Sequence, residues 1–151
     1  MYAFYCDGTD VPSLFRKCCS HSKLGQYDLI VANDVLEHLS DPWSVVHILK
    51  NHLMDDGVFM ASIPNVQYHK VLTGLLKGKW EYTEAGILDK THLRFFTKKS
   101  ASELFTENGY KIQSIVPINI DKISGTNILQ RLFKVLKPDM YVLQFVIIAG
   151  K

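Results

Sequence analysis

Cysteine is scarce and poorly placed for cross-linking. Cys6, Cys18 and Cys19 make an odd number, two of them adjacent, so neither a disulfide framework nor a paired-cysteine zinc knuckle fits. That usage places the chain among reduced, cytoplasmic proteins. Charge of one sign is missing as well: 17 basic against 15 acidic residues leave a formal charge of +2, with no polyelectrolyte patch of the kind nucleic-acid binding uses. No nucleic-acid partner is expected. No run approaches the roughly 18 uninterrupted apolar residues of a membrane span, and the N-terminus lacks the basic-then-apolar order of a signal peptide. Internal repeats and low-complexity tracts are absent too. What is there, 47% hydrophobic and 21% charged residues, is the make-up of an ordinary globular domain, and 151 residues suit one domain spanning 1–151.

Residues 27–33 form a nearly continuous apolar run, as expected of a strand buried on both faces in a parallel sheet. Ser40, Asp41 and Pro42 then supply a cap and a first-turn proline. Val45, Val46, Leu49 and Leu53 recur at helical spacing until Gly57. Residues 58–63 read as a second buried strand, giving a strand-helix-strand core over 27–63 whose crossover should be right-handed.

The connection over residues 64–97 is irregular apart from one short helix at 68–76, and a connection of that length is usually functional. Thr97 or Ser100 can cap the next helix. Ser100 and Glu103 have capping-box spacing, Ala101, Leu104 and Phe105 form the inner face, and Gly109 stops it. Residues 110–116 alternate as a strand, 128–136 form a short basic amphipathic helix, and 141–149 close the chain as an apolar strand. The fold class is α/β.

The run YDLIVANDVLEHLSDP at residues 27–42 resembles the fourth strand and following loop of class I S-adenosylmethionine-dependent methyltransferases. Asp56-Gly57, Ile63-Pro64-Asn65, the string GILDKTHLRFFT at 86–97 and Asn108-Gly109-Tyr110 extend the likeness across roughly residues 26–118. The resemblance implies a Rossmann-like sheet of order 3-2-1-4-5-7-6 with strand 7 antiparallel, of which strands 4-5-7-6 and their flanking helices are readable here. The cofactor would lie across the carboxyl ends of the strands.

No Gly-x-Gly loop occurs in this chain, although in the family that loop meets the methionine moiety. The expectation is therefore a truncated methyltransferase domain, residues 1–26 being a remnant that includes part of strand 3. Without strand 1, strand 4 becomes an unpaired apolar edge. Either the N-terminal segment folds back onto it or two chains associate there as a homodimer.

The same resemblance nominates residues. Asn33, Asp34, Val35 and Glu37 follow strand 4, where the family lines its cofactor and acceptor pocket; Asn33 or Asp34 could equally hydrogen-bond loop backbone. Asp34, Glu37, His38 and His92 resemble the set by which some relatives hold a divalent ion, for which Mg2+ would suit the carboxylates. A purely structural role for Glu37 and His38 stays open. His38 or His92 could instead act as general base, because histidine titrates near neutral pH. Tyr68, His69, Trp80 and Tyr82 fall in the segment that overlies the acceptor in the family and are candidate substrate contacts, or core cover.

The leading expectation is methyl transfer from S-adenosylmethionine to an oxygen or nitrogen of a small molecule or sugar. A rival from another class is a non-catalytic module that assembles through its exposed sheet edge.

Overall fold

The computed structural model describes residues 2–4, 25–121 and 135–151, with side chains from residue 25 onward. Its strands are β1 (Tyr2–Phe4), β2 (Tyr27–Asn33), β3 (Leu53–Pro64), β4 (Lys111–Ile120) and β5 (Val142–Gly150). They form one sheet of order β1-β2-β3-β5-β4. The first three are mutually parallel, and β5 runs antiparallel to both β3 and β4. Thus β2-β3-β5-β4 reproduces the expected 4-5-7-6 order with its antiparallel strand.

β1 corrects one expectation. A remnant of strand 3 would be separated from β2 by two intervening strands, yet Tyr2, Ala3 and Phe4 pair directly with Ile30, Val31 and Ala32. The physical reason is the edge itself: an unpaired apolar strand presents a row of free N–H and C=O groups, and the N-terminal segment takes them.

Helix α1 (Pro42–Asn51) starts as its sequence dictates. The Asp41 side chain accepts the Ser44 amide at 3.1 Å, and Pro42 occupies the first turn. It ends before the apolar spacing does. Leu53 is a strand residue paired with Tyr27, because the His52 carbonyl accepts the Tyr27 amide at 2.8 Å and draws the chain into the sheet. Register then shifts so that Leu29 meets Val58, which leaves residues 54–57 as a bulge. Glycine is needed there: a Cβ on Gly57 would stand 2.9 Å from the Tyr27 carbonyl oxygen and from the Leu53 side chain.

Helix α2 (His69–Leu76) follows β3, and α3 (Lys98–Thr106) precedes β4. Of the two candidate caps, Thr97 is the one used. It forms a capping box with Ser100, where spacing alone suggested Ser100 with Glu103. Gly109, at φ +76°, ends this region in a conformation that L side chains rarely adopt. The helix expected at residues 128–136 lies outside the described residues except for its last two.

α1 and α3 cover one face of the sheet. Ile30, Ala32, Phe59, Ala61, Ile63, Ile147 and Ala149 point into that layer and meet Val46, Leu49, Leu104 and Phe105 in a single buried cluster. Phe59, Phe105 and Tyr110 pack edge-to-face with centroids 5.2 to 5.8 Å apart. The alternate residues Leu29, Val31, Val58 and Met60 are only half-buried, so among the described residues β2 is covered on one face, not both. No helix among the described residues is long and apolar enough to cross a membrane.

Candidate functional site

At the carboxyl end of β2 the chain must leave the sheet sharply. Asp34 does so with φ 51°, a left-handed conformation that aspartate tolerates better than most residues. Its amide meets the Ser62 hydroxyl at 3.0 Å, and its carboxylate accepts from Ser62 at 3.3 Å and from the Gln144 amide. Asp34 is thereby pinned to the ends of β3 and β5. A short 3₁₀ turn, Leu36–His38, then buries Leu36 in the core and carries Glu37 inward with it.

The opposite wall comes from residues 83–97. Thr83 and Asp89 form an isolated bridge, and the Asp89 and His92 amides turn back onto Gly86 and Asp89. This wall is bolted to the first by main chain. The Glu37 carbonyl accepts the amides of Leu93 at 2.8 Å and Arg94 at 2.9 Å, and Phe96 bridges to Asn65. Asn65, fully buried, donates to the Asp139 and Val142 carbonyls at 2.8 Å each, so β3, β5 and the wall share one junction.

Between the walls lies a cavity of about 270 Å³. Asp34, Glu37, His38, Asp89, His92 and Gln144 supply its polar lining. Glu37 is 1% exposed, and both of its carboxylate oxygens lack a hydrogen-bond partner among the described residues. Burial pushes its carboxyl up to about 8, opposed by its own backbone and reinforced by the charge of Asp34. The proton is therefore retained at neutral pH.

His92 is also buried, and burial lowers its pKa, so its imidazole stays neutral. Its Nδ1 lies 3.0 Å from the Ile87 carbonyl. A carbonyl only accepts, so Nδ1 carries the hydrogen and Nε2 is left with a lone pair. The rings of His38 and His92 stand edge-to-face at 4.6 Å. Ligand atoms of Glu37, His38 and His92 all lie within 4.8 Å of one another, a grouping that does not include Asp34.

The remaining nominated residues sit elsewhere. Asn33 is exposed at the rim, and Val35 is in the core. Tyr68 is buried with its hydroxyl donated to Asp121, and His69 Nε2 is 2.9 Å from the same carboxylate. Those hydrogen bonds, led by Tyr68, hold Asp121 down at about 2. Trp80 packs edge-on against Phe95 at 5.2 Å, and Tyr82 is 57% exposed. None of these four aromatic residues is among those lining the cavity.

Two polar lining residues, Asp89 and Gln144, were not among the residues nominated from the sequence. Gln144 could have been found as the one polar residue inside the apolar strand VLQFVIIAG. Asp89 lay within a quoted string but carried no signal of its own.

The methyltransferase domain family matches residues 7–115, which reaches further toward the N-terminus than the quoted strings do. No curated protein matches the sequence. Among solved structures, an S-adenosylmethionine-dependent methyltransferase from Archaeoglobus fulgidus superposes with TM-score 0.58 at 12% identity, covering 89% of this chain and 64% of its own. One from Thermotoga maritima gives 0.56 at 12% identity, with 85% and 57% covered. One from Clostridium acetobutylicum gives 0.51 at 11%, with 83% and 58% covered. The chain thus spans less than two thirds of the length of these structures, which share its fold. With the family matched over most of the sequence and the sheet order reproduced, the chain belongs to the methyltransferase domain family.

Proposed function

We propose that residues 1–151 serve as one domain in methyl transfer from S-adenosylmethionine to a hydroxyl or amine of a small molecule or sugar in the cytoplasm. The observation that carries this reading is the cavity at the carboxyl end of β2. There two imidazoles and a buried carboxyl, unpartnered among the described residues, converge where open α/β sheets bind their ligands.

Asn33 and Asp34, at the rim, are the residues offered for the cofactor, whose sulfonium supplies an already electrophilic methyl group. The chain's own part is to hold the acceptor and receive its proton. His92, neutral with Nε2 available, is suited to take it, and His38 stands beside it. Among the described residues, three carboxyl-bearing side chains line the cavity and no lysine or arginine does. That polarity favours a neutral or amine-bearing acceptor over a phosphorylated or carboxylate-bearing one.

A metal-assisted variant is supported by the orphaned Glu37 carboxyl. The donor set decides which ion. One carboxylate and two imidazoles suit a borderline divalent ion such as zinc or manganese, whereas magnesium prefers an all-oxygen octahedron. Asp34 stands outside that grouping and does not supply the second carboxylate that magnesium would want. An ion held by Glu37, His38 and His92 would make an acceptor hydroxyl easier to deprotonate.

The test is label transfer from methyl-tritiated S-adenosylmethionine by the full chain, using polyhydroxy, amine and carboxylate-bearing acceptors. Transfer to the first two classes, lost in His92→Ala, supports the reading. Transfer only to carboxylate acceptors, or transfer untouched by His92→Ala, refutes it. If no acceptor is labelled and the chain self-associates, the rival reading of a non-catalytic module that assembles through the β2 edge, as in a homodimer, gains instead. β1 already occupies three residues of that edge.

A further inference from the structure

We propose that Asp89 is a positioning residue that sets the tautomer of His38 through Thr91, so that His38, like His92, presents an unprotonated Nε2 to the cavity. This rests on the reading above that the two imidazoles work on the acceptor.

Asp89 Oδ1 accepts both the Thr91 amide, at 2.8 Å, and the Thr91 hydroxyl, at 2.7 Å. Those bonds hold the Asp89 carboxyl below the usual carboxylate range, so it is ionised and can only accept. The single hydroxyl proton of Thr91 is therefore committed to Asp89. What Thr91 has left for His38 is acceptor capacity alone. Its hydroxyl oxygen lies 3.1 Å and its carbonyl oxygen 3.2 Å from His38 Nδ1. Two acceptors facing one ring nitrogen require that nitrogen to carry the hydrogen, which leaves Nε2 with its lone pair.

Remove the carboxylate and the logic changes, because the freed Thr91 hydroxyl can donate to Nδ1 and stabilise the opposite tautomer. On His92 the Ile87 carbonyl, which can only accept, does the same job. One turn of chain, residues 87–92, thus presets both rings, the kind of outer support that fixes ring orientation in working sites.

The experiment is histidine-selective nitrogen-15 NMR of the full chain, freed of metal with a chelator and held at one alkaline pH. Expected is an Nδ1-protonated tautomer for both His38 and His92 in the wild type. Asp89→Ala should move His38 to a mixture rich in Nε2–H while His92 stays put. Asp89→Asn, whose amide oxygen still accepts, should restore much of the original signal. Adding Thr91→Val to Asp89→Ala removes the donor hydroxyl and should return His38 toward Nδ1–H. A wild-type His38 protonated on Nε2, or an Asp89→Ala variant whose His38 tautomer is unchanged, overturns the proposal. A general loosening of the loop would shift His92 as well and would not be reversed by Thr91→Val. No acceptor or cofactor is present, so failure of label transfer refutes the functional reading without touching this result.

Discussion

The main-chain carbonyl of Glu37 accepts the amide of Leu93 at 2.8 Å, and that bond brings two distant stretches of chain to one spot. Because it is made by backbone, the meeting of the Glu37 carboxyl with the His92 ring does not depend on either side chain. Substitutions at Glu37 or His92 should therefore change chemistry and local electrostatics while leaving the walls in place.

Glu37 should make stability fall as pH rises. Its folded pKa of about 8 lies above the ordinary value of 4.5. Between those two values the native state keeps a proton that the unfolded state releases, so unfolding is favoured progressively with pH. The slope is at most about 1.4 kcal/mol per pH unit and flattens above the folded pKa. Glu37→Gln has no such proton to lose. Urea midpoints measured across this range should show the variant gaining on the wild type toward alkaline pH; parallel profiles would rule out a protonated Glu37.

Asp121 should behave in the opposite sense. Its folded pKa of about 2 lies below the ordinary carboxylate value, so what it contributes is present above the unfolded pKa and is lost as pH falls through the folded one. Tyr68 and His69 both reach this carboxylate from the start of α2, which makes the trio a clasp between α2 and the end of β4. Tyr68→Phe should cost about 1 kcal/mol near neutral pH, less than a buried charged hydrogen bond because Asp121 is partly open to solvent. The loss should shrink in strong acid. A loss that stays constant with pH would mean that Tyr68 acts by packing alone.

Phe105 contacts both Phe59 and Tyr110 at the centre of the helix-covered face and is fully buried. Phe105→Ala should cost about 3 to 5 kcal/mol in chemical denaturation. A value under about 1.5 kcal/mol, the range of volume-conserving swaps, would contradict the assignment of a single core on this face.

For the metal-assisted variant, zinc or manganese should bind the full chain, and Glu37→Gln or His92→Ala should weaken binding at least about tenfold. Magnesium should give no comparable signal. Equal binding of magnesium in Glu37→Gln would place any ion elsewhere.

How much of this was legible follows from the kind of signal each element leaves. β2 could be read residue for residue because a run of apolar residues bounded by polar ones has few other uses. The end of α1 could not: Leu53 continues the helical spacing, and only the hydrogen bond between Tyr27 and His52 decides for strand. Thr97 and Ser100 are both good caps three residues apart, so geometry alone could choose between them. At the site, Glu37, His38 and His92 were reachable through family resemblance. The clasp on Asp121 and the role of Asp89 were not, since each depends on long-range contacts or on the direction of one hydroxyl proton.

The most direct measurement is calorimetric titration of the full chain with S-adenosylhomocysteine. Binding tighter than about 1 mM, equivalent to roughly 4 kcal/mol, is the result expected if the β2 rim and its cavity form a methyl-transfer site. Absence of binding at that level, with the protein folded, would contradict it.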